Sequence, residues 1–293
     1  METRTANDDH PDMTLRLGSD AHKHAFCRML LATHDPYKPA VIAWPHLDPE
    51  ALAQLTGLPI WDIAVQTEGK ASKHVSAYAD TIDDPVLHQA IALNAFEEAR
   101  HKEVLGHMVG FYGIRLAPEP EYKRPRDPEW AFMKTGFSEC IDSFFAFGLF
   151  ALAKRSGFFP PALVDTFEPV IQEECRHILF FVNWAAWHRR NLPLWKRPLF
   201  MARVLAVWAV LIWERFELAK GVNVRSTDSN FTLTGSRAVG VEIGPRELLD
   251  LCLAENDRRM ASLDGCLKRP AVMPGLVRMI RPFLRPAATA PVR

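Results

Sequence analysis

The chain has few cysteines, and none are paired: no two of Cys27, Cys140, Cys175, Cys252 and Cys266 form a C-x-x-C. That spacing excludes a zinc ribbon or a rubredoxin-type iron site, and it fits free thiols in a reducing compartment. Net charge is lacking too, because 35 acidic residues offset 35 basic ones. No strongly basic field points to nucleic acid. The opening METRTANDDHPDM has no apolar core and does not read as a secretory signal, so a cytoplasmic location is expected. The most apolar run, LFMARVLAVWAVLIW at 199–213, is 15 residues long and contains Arg203. A spanning helix needs ~20 apolar residues, so a buried or membrane-surface helix is expected there.

What the chain has is length and helical periodicity. Its 293 residues, 48% apolar and 24% charged, allow a substantial core. Between Leu58 and Trp187, punctuation at Asp83–Pro85, at the Pro-rich stretch 117–128 and at Ser156–Pro161 delimits four helices, about 59–82, 86–112, 129–155 and 161–190. Four helices this long imply an all-α bundle of two hairpins joined by a crossover. Further helices are expected near 196–220 and 246–264, with a Gly- and Thr-rich loop between them. The expected domain plan is an N-terminal extension (1–57), the bundle (58–192), helices packing on it (193–267) and a solvated basic tail (268–293).

One motif occurs twice. EEARH spans Glu97–His101 and EECRH spans Glu173–His177. In the second helix the stripe Leu87, Ile91, Asn94, Glu98, His101, Leu105, Met108 advances by alternating steps of four and three. The fourth helix repeats it with Leu163, Phe167, Val170, Glu174, His177, Phe181, Trp184. Glu and His thus sit mid-stripe on faces that turn inward. Taken singly, Glu97 with Arg100 or Glu98 with Lys102 reads as an ordinary helix-surface ion pair; two copies on core stripes do not. Glu68 lies 15 residues before Asp83 and Glu98 lies 15 after it, so a hairpin sets them side by side. In the third helix either Glu139 or Asp142 meets Glu174 across the second hairpin. Buried carboxylates need cations, and two divalent ions would neutralise four of them. Cys175 points off the ligand face and reads as packing; His22 and His24 read as structural. The run Phe144–Phe150 reads as core.

Residues 58–190 resemble the ferritin-like diiron-carboxylate superfamily, which includes rubrerythrins and ribonucleotide reductase small subunits. That class takes one Glu from each of two helices and Glu-x-x-His from the other two. The resemblance implies metal ligands Glu68, Glu98, His101, Glu139, Glu174 and His177, with Glu139 preferred to Asp142. It also implies that Glu97 and Glu173 hydrogen-bond the ligand histidines. The implied cofactor is two iron ions, or manganese with iron. The expected function is a dioxygen-activating non-haem diiron oxygenase or oxidase acting on a small, partly apolar organic substrate. An electron-donor protein would be its partner, and a membrane-surface contact and a homodimer remain open. The alternatives are a ferroxidase, a peroxide scavenger or a metal-free helical interaction protein.

Overall fold

The computed structural model describes residues 15–58, 60–157, 159–225 and 243–284, with the backbone alone for 218–225. The fold is all-α, with no strand among the described residues. The helices are α1 (Asp20–Ala32), α2 (Pro49–Gly57), α3 (Trp61–Ala79), α4 (Pro85–Phe111), α5 (Pro128–Ser156), α6 (Pro161–Thr166), α7 (Glu168–Asn191), α8 (Lys196–Arg225), α9 (Pro245–Ala261) and α10 (Val272–Ile280).

The long helices begin where capping chemistry starts them. Asp84 accepts from the Val86 and Leu87 amides ahead of α4, and Asp127 accepts from the Trp130 amide ahead of α5. Pro85 and Pro128 each occupy a first helical position, where a missing N–H costs nothing. Gly157 stops α5 in the left-handed region, at φ +65°.

The pair α3–α4 is a hairpin, α5 packs on both α3 and α7, and α1 lies across α4 and α7. Gly136 lets α5 approach α7: a Cβ there would collide with the Phe181 ring. Tyr78, Phe132 and Trp184 close one end of this interior, with Tyr78 stacked on Phe132 at 4.6 Å between ring centroids. Val65, Met108 and Val109 form an apolar layer at the other end. The repeated motifs lie between these layers. Among the described helices α5 is long and apolar enough to span a membrane by length and composition alone, but half of its apolar window is buried in the protein.

Three expectations change. The fourth helix is two pieces, α6 and α7, because Pro169 has no N–H to continue the ladder. The N-terminal extension contains α1, capped by Ser19 and buried through Phe26, Cys27 and Leu30. The basic tail contains α10, which buries Pro274 and Val277. Of the run 199–213, Phe200, Val207 and Leu211 are buried, while much of its other face is exposed. Most of the expected loop after α8, residues 226–242, lies outside the described residues.

Candidate metal centre

Four helices send carboxylates and imidazoles to one place. Glu68 (α3), Glu98 and His101 (α4) and Glu174 (α7) form one group; Glu98, Glu139 (α5), Glu174 and His177 (α7) form a second. Within each group the ligand atoms lie within 4.8 Å of one another. Glu98 and Glu174 belong to both groups. The arrangement therefore has two terminal carboxylates, two shared carboxylates and one imidazole on each side, a donor set compatible with a dinuclear metal site.

The inner atoms are unsatisfied. Glu98 Oε1, His101 Nδ1, Glu139 Oε1 and His177 Nδ1 are buried without a hydrogen-bond partner. His177 Nδ1 is 2.8 Å from Glu98 Oε1, and His101 Nδ1 is 3.1 Å from Glu174 Oε1. Neither pair has hydrogen-bond geometry. Most buried polar atoms find partners, and four orphans spread over the two groups fit cations that take up their lone pairs.

The outer atoms, by contrast, are tied crosswise. His101 Nε2 donates to Glu173 at 2.8 Å, and His177 Nε2 donates to Glu97 at 2.7 Å. Each first acid of a motif thus holds the histidine of the other motif. The arginines cross as well: Arg100 bonds Glu173, and Arg176 bonds Glu97 at 2.9 Å. The segment after α1 completes the shell. His34 Nδ1 is 2.6 Å from Glu97, the Tyr37 hydroxyl donates to Glu173 at 3.2 Å, and Arg100 donates to the Asp35 carbonyl at 2.6 Å. On the inner side, the Ser143 hydroxyl donates to Glu174 at 3.2 Å.

Charge separates the two shells. In the outer one, Glu97 and Glu173 are matched by Arg100 and Arg176. Burial would raise the Glu97 carboxyl, but His177, Arg176 and His34 hold it well below the usual carboxylate range. The inner quartet of Glu68, Glu98, Glu139 and Glu174 has no Lys or Arg ion partner among the described residues. Burial, with the charge of Glu174 and other nearby carboxylates, pushes Glu98 and Glu139 well above their usual range. Glu174 runs the other way: despite burial, His101 holds it low. His101 is raised, against its burial, by Glu173, Glu174 and Glu68. Protons here stand in for cationic charge.

All six residues expected from the sequence meet at this cluster. Asp142 does not: its side chain is 57% exposed and paired with Arg215 at 2.6 Å. His22 is structural, as expected, buried and 2.9 Å from Asn183 Oδ1. Cys175 is buried in the core. His34, Tyr37 and Ser143 escaped the sequence reading, because no periodic pattern marks them. The arginines did carry a signal, the fourth shared position of the motif, but not the crossing of their partners.

Comparison with models of known families, with curated proteins and with solved structures gives no match in any of the three. The class of the site is therefore argued from its own donors.

Proposed function

We propose that the chain is a ferritin-like diiron protein that activates dioxygen to oxidise a small, partly apolar organic molecule. The observation that carries the reading is the set of four partnerless buried atoms, placed in two groups that share Glu98 and Glu174. Mixed carboxylate and imidazole donors suit iron or manganese better than zinc. Glu68 with His101 would hold one ion, Glu139 with His177 the other, and Glu98 and Glu174 both. When bound, a ferrous pair supplies the electrons that reduce dioxygen.

The protein's own contribution is orientation and exclusion. Glu173 and Glu97 keep the proton of each imidazole on Nε2, so that Nδ1 offers its lone pair inward. The apolar layers around Trp184 and Met108 keep water from both ends of the interior. Glu68 and Glu174, with side chains 20% and 13% exposed, mark the side from which dioxygen and substrate approach. Repeated turnover needs an electron-donor protein, which this reading includes.

The test is elemental analysis of protein prepared with iron, followed by oxygen-uptake measurements on the ferrous form. The expected result is about two irons per chain and a single burst of uptake that stops without reductant. A chain that stays metal-free overturns the reading. Continued loading of iron into a mineral core would move the protein to the storage class.

A further inference from the structure

The turn between α7 and α8 points its apolar side chains outward. Leu194 and Trp195 stand at its tip, 75% and 72% exposed, and Leu199, one turn into α8, is 61% exposed. Cations flank them. Arg189 and Arg190 end α7, and Lys196 and Arg197 begin α8. None of the four has a carboxylate partner among the described residues. Arg197 is turned onto the Leu192 and Arg190 carbonyls, Arg189 onto the Met201 sulfur, and Lys196 lies over the Trp195 ring. The acids on the adjoining starts of α1 and α5 are already paired: Asp20 is 3.0 Å from Lys23, Asp127 is 2.8 Å from Arg203, and Glu129 is 3.1 Å from His188. In sequence the asymmetry runs further, because no Asp or Glu occurs between Glu174 and Glu214.

We propose that this end of the molecule docks on an anionic lipid surface. Leu194 and Trp195 enter the headgroup region, while Arg189, Arg190, Lys196 and Arg197 meet the lipid charges. Trp is suited to that boundary, with an apolar ring and an N–H for the wet side. Long basic side chains lay their stems along apolar surface and keep their charge at headgroup level. An apolar tip alone would suit any hydrophobic partner; four cations without acids select a negative one. A second copy of the chain is disfavoured, because a two-fold axis here would bring like charges together. An acidic electron-donor protein would also satisfy the charges. The turn, however, lies fourteen residues of α7 beyond His177, about 20 Å at 1.5 Å per residue. Electron transfer falls steeply with distance, so a donor gains little by docking there. The proposal stands on this surface alone and does not depend on the metal centre.

Flotation of the full chain with vesicles tests this, one set of phosphatidylcholine alone and the other with phosphatidylglycerol added. The expected result is recovery with the anionic set only, reversed by salt. Arg190→Gln with Lys196→Gln should weaken binding roughly 25-fold, at about fivefold per cation. Leu194→Ser with Trp195→Ser should weaken it roughly tenfold or more. All four side chains are exposed, so helicity and thermal melting should stay at the wild-type level in both variants. A wild-type chain that floats with neither set overturns the proposal. So does flotation that both variants retain in full. A chain that ignores vesicles but binds an acidic ferredoxin, and loses it in the Gln pair, overturns it in favour of a protein partner.

Discussion

His177 on α7 donates its Nε2 proton to Glu97 on α4 at 2.7 Å, not to an acid of its own helix. His101 does the converse, donating to Glu173 across the bundle at 2.8 Å. A carboxylate can only accept, so each crossing fixes an imidazole tautomer. It also couples the orientation of each inward nitrogen to the opposite helix. This explains why the motif agrees at four of five positions: the second Glu and the His face the cluster, while the first Glu and the Arg are spent on the other copy. The third position, Ala99 in one copy and Cys175 in the other, has no part in the exchange.

The crossing makes a counterintuitive prediction for Glu97→Gln. Although Glu97 neighbours Glu98 and His101 in sequence, its loss should resemble His177→Ala and not His101→Ala. Metal affinity should fall roughly 10–100-fold at the His177 side. Arg176 would lose its nearer acid but keep Glu173 at 3.4 Å, so the cost should be about 1.5–3 kcal/mol of stability, the range for a hydrogen bond to a charged group. Metal titrations of the three variants, with thermal melts, would show it; a defect matching His101→Ala would sink the crossed assignment.

Shared and terminal carboxylates should differ in stoichiometry. Glu98 and Glu174 belong to both ligand groups, Glu68 and Glu139 to one each. Replacing either shared residue with Ala should empty both positions, whereas Glu68→Ala or Glu139→Ala should leave one ion per chain. Elemental analysis after gel filtration separates the cases. Equal losses from all four variants would argue against two positions sharing Glu98 and Glu174.

What the sequence revealed followed from period. Buried stripes on α4 and α7 are visible because steps of four and three bring Glu98, His101, Glu174 and His177 into line with Ile91, Met108, Phe181 and Trp184. The hairpin at Asp83–Pro85 placed Glu68 beside Glu98. Residues outside periodic segments gave no such signal: His34 and Tyr37 reach the outer acids from the short stretch after α1. Helix α1 was hidden by its polar opening, Asp20–His24, although Phe26, Cys27 and Leu30 are wholly buried. The choice between Glu139 and Asp142 turned on helical rotation. Three residues advance an α-helix by about 300°, which keeps a pair on neighbouring faces, as Glu98 and His101 are, so spacing alone left both open. Asp142 lies on the outer flank, held by Arg215 and Ser138.

Asp142 supplies a control. Its carboxylate is 57% exposed and bonds Arg215 and Ser138. Asp142→Asn should leave metal content unchanged and cost about 0–1 kcal/mol, the range for an exposed ion pair. Loss of metal in this variant would require α5 to turn differently from the arrangement described.

The metal-free chain should lose stability as pH rises, and the stabilisation gained from metal should grow. Glu98 and Glu139 are raised well above the ordinary glutamate value of 4.5, chiefly by burial and then by neighbouring acids. His101 is raised above 6.5 by its carboxylate partners, despite burial. In each case the folded metal-free chain binds a proton more tightly than the unfolded chain. That stabilisation is complete below the unfolded value and is lost as pH rises towards the folded one. Glu97 is lowered, so its contribution holds throughout this range and fades only in strong acid. The metal-free protein should therefore melt progressively earlier as pH rises above the ordinary glutamate range and then through the histidine range, where these protons are withdrawn. Ferrous or manganous ions compete for the same atoms, so the rise in melting temperature on adding metal should grow over that interval, with proton release on binding. Melts at several pH values, with and without metal, test the sign: a metal effect that shrinks as pH rises would mean that protons and metal do not share the cluster.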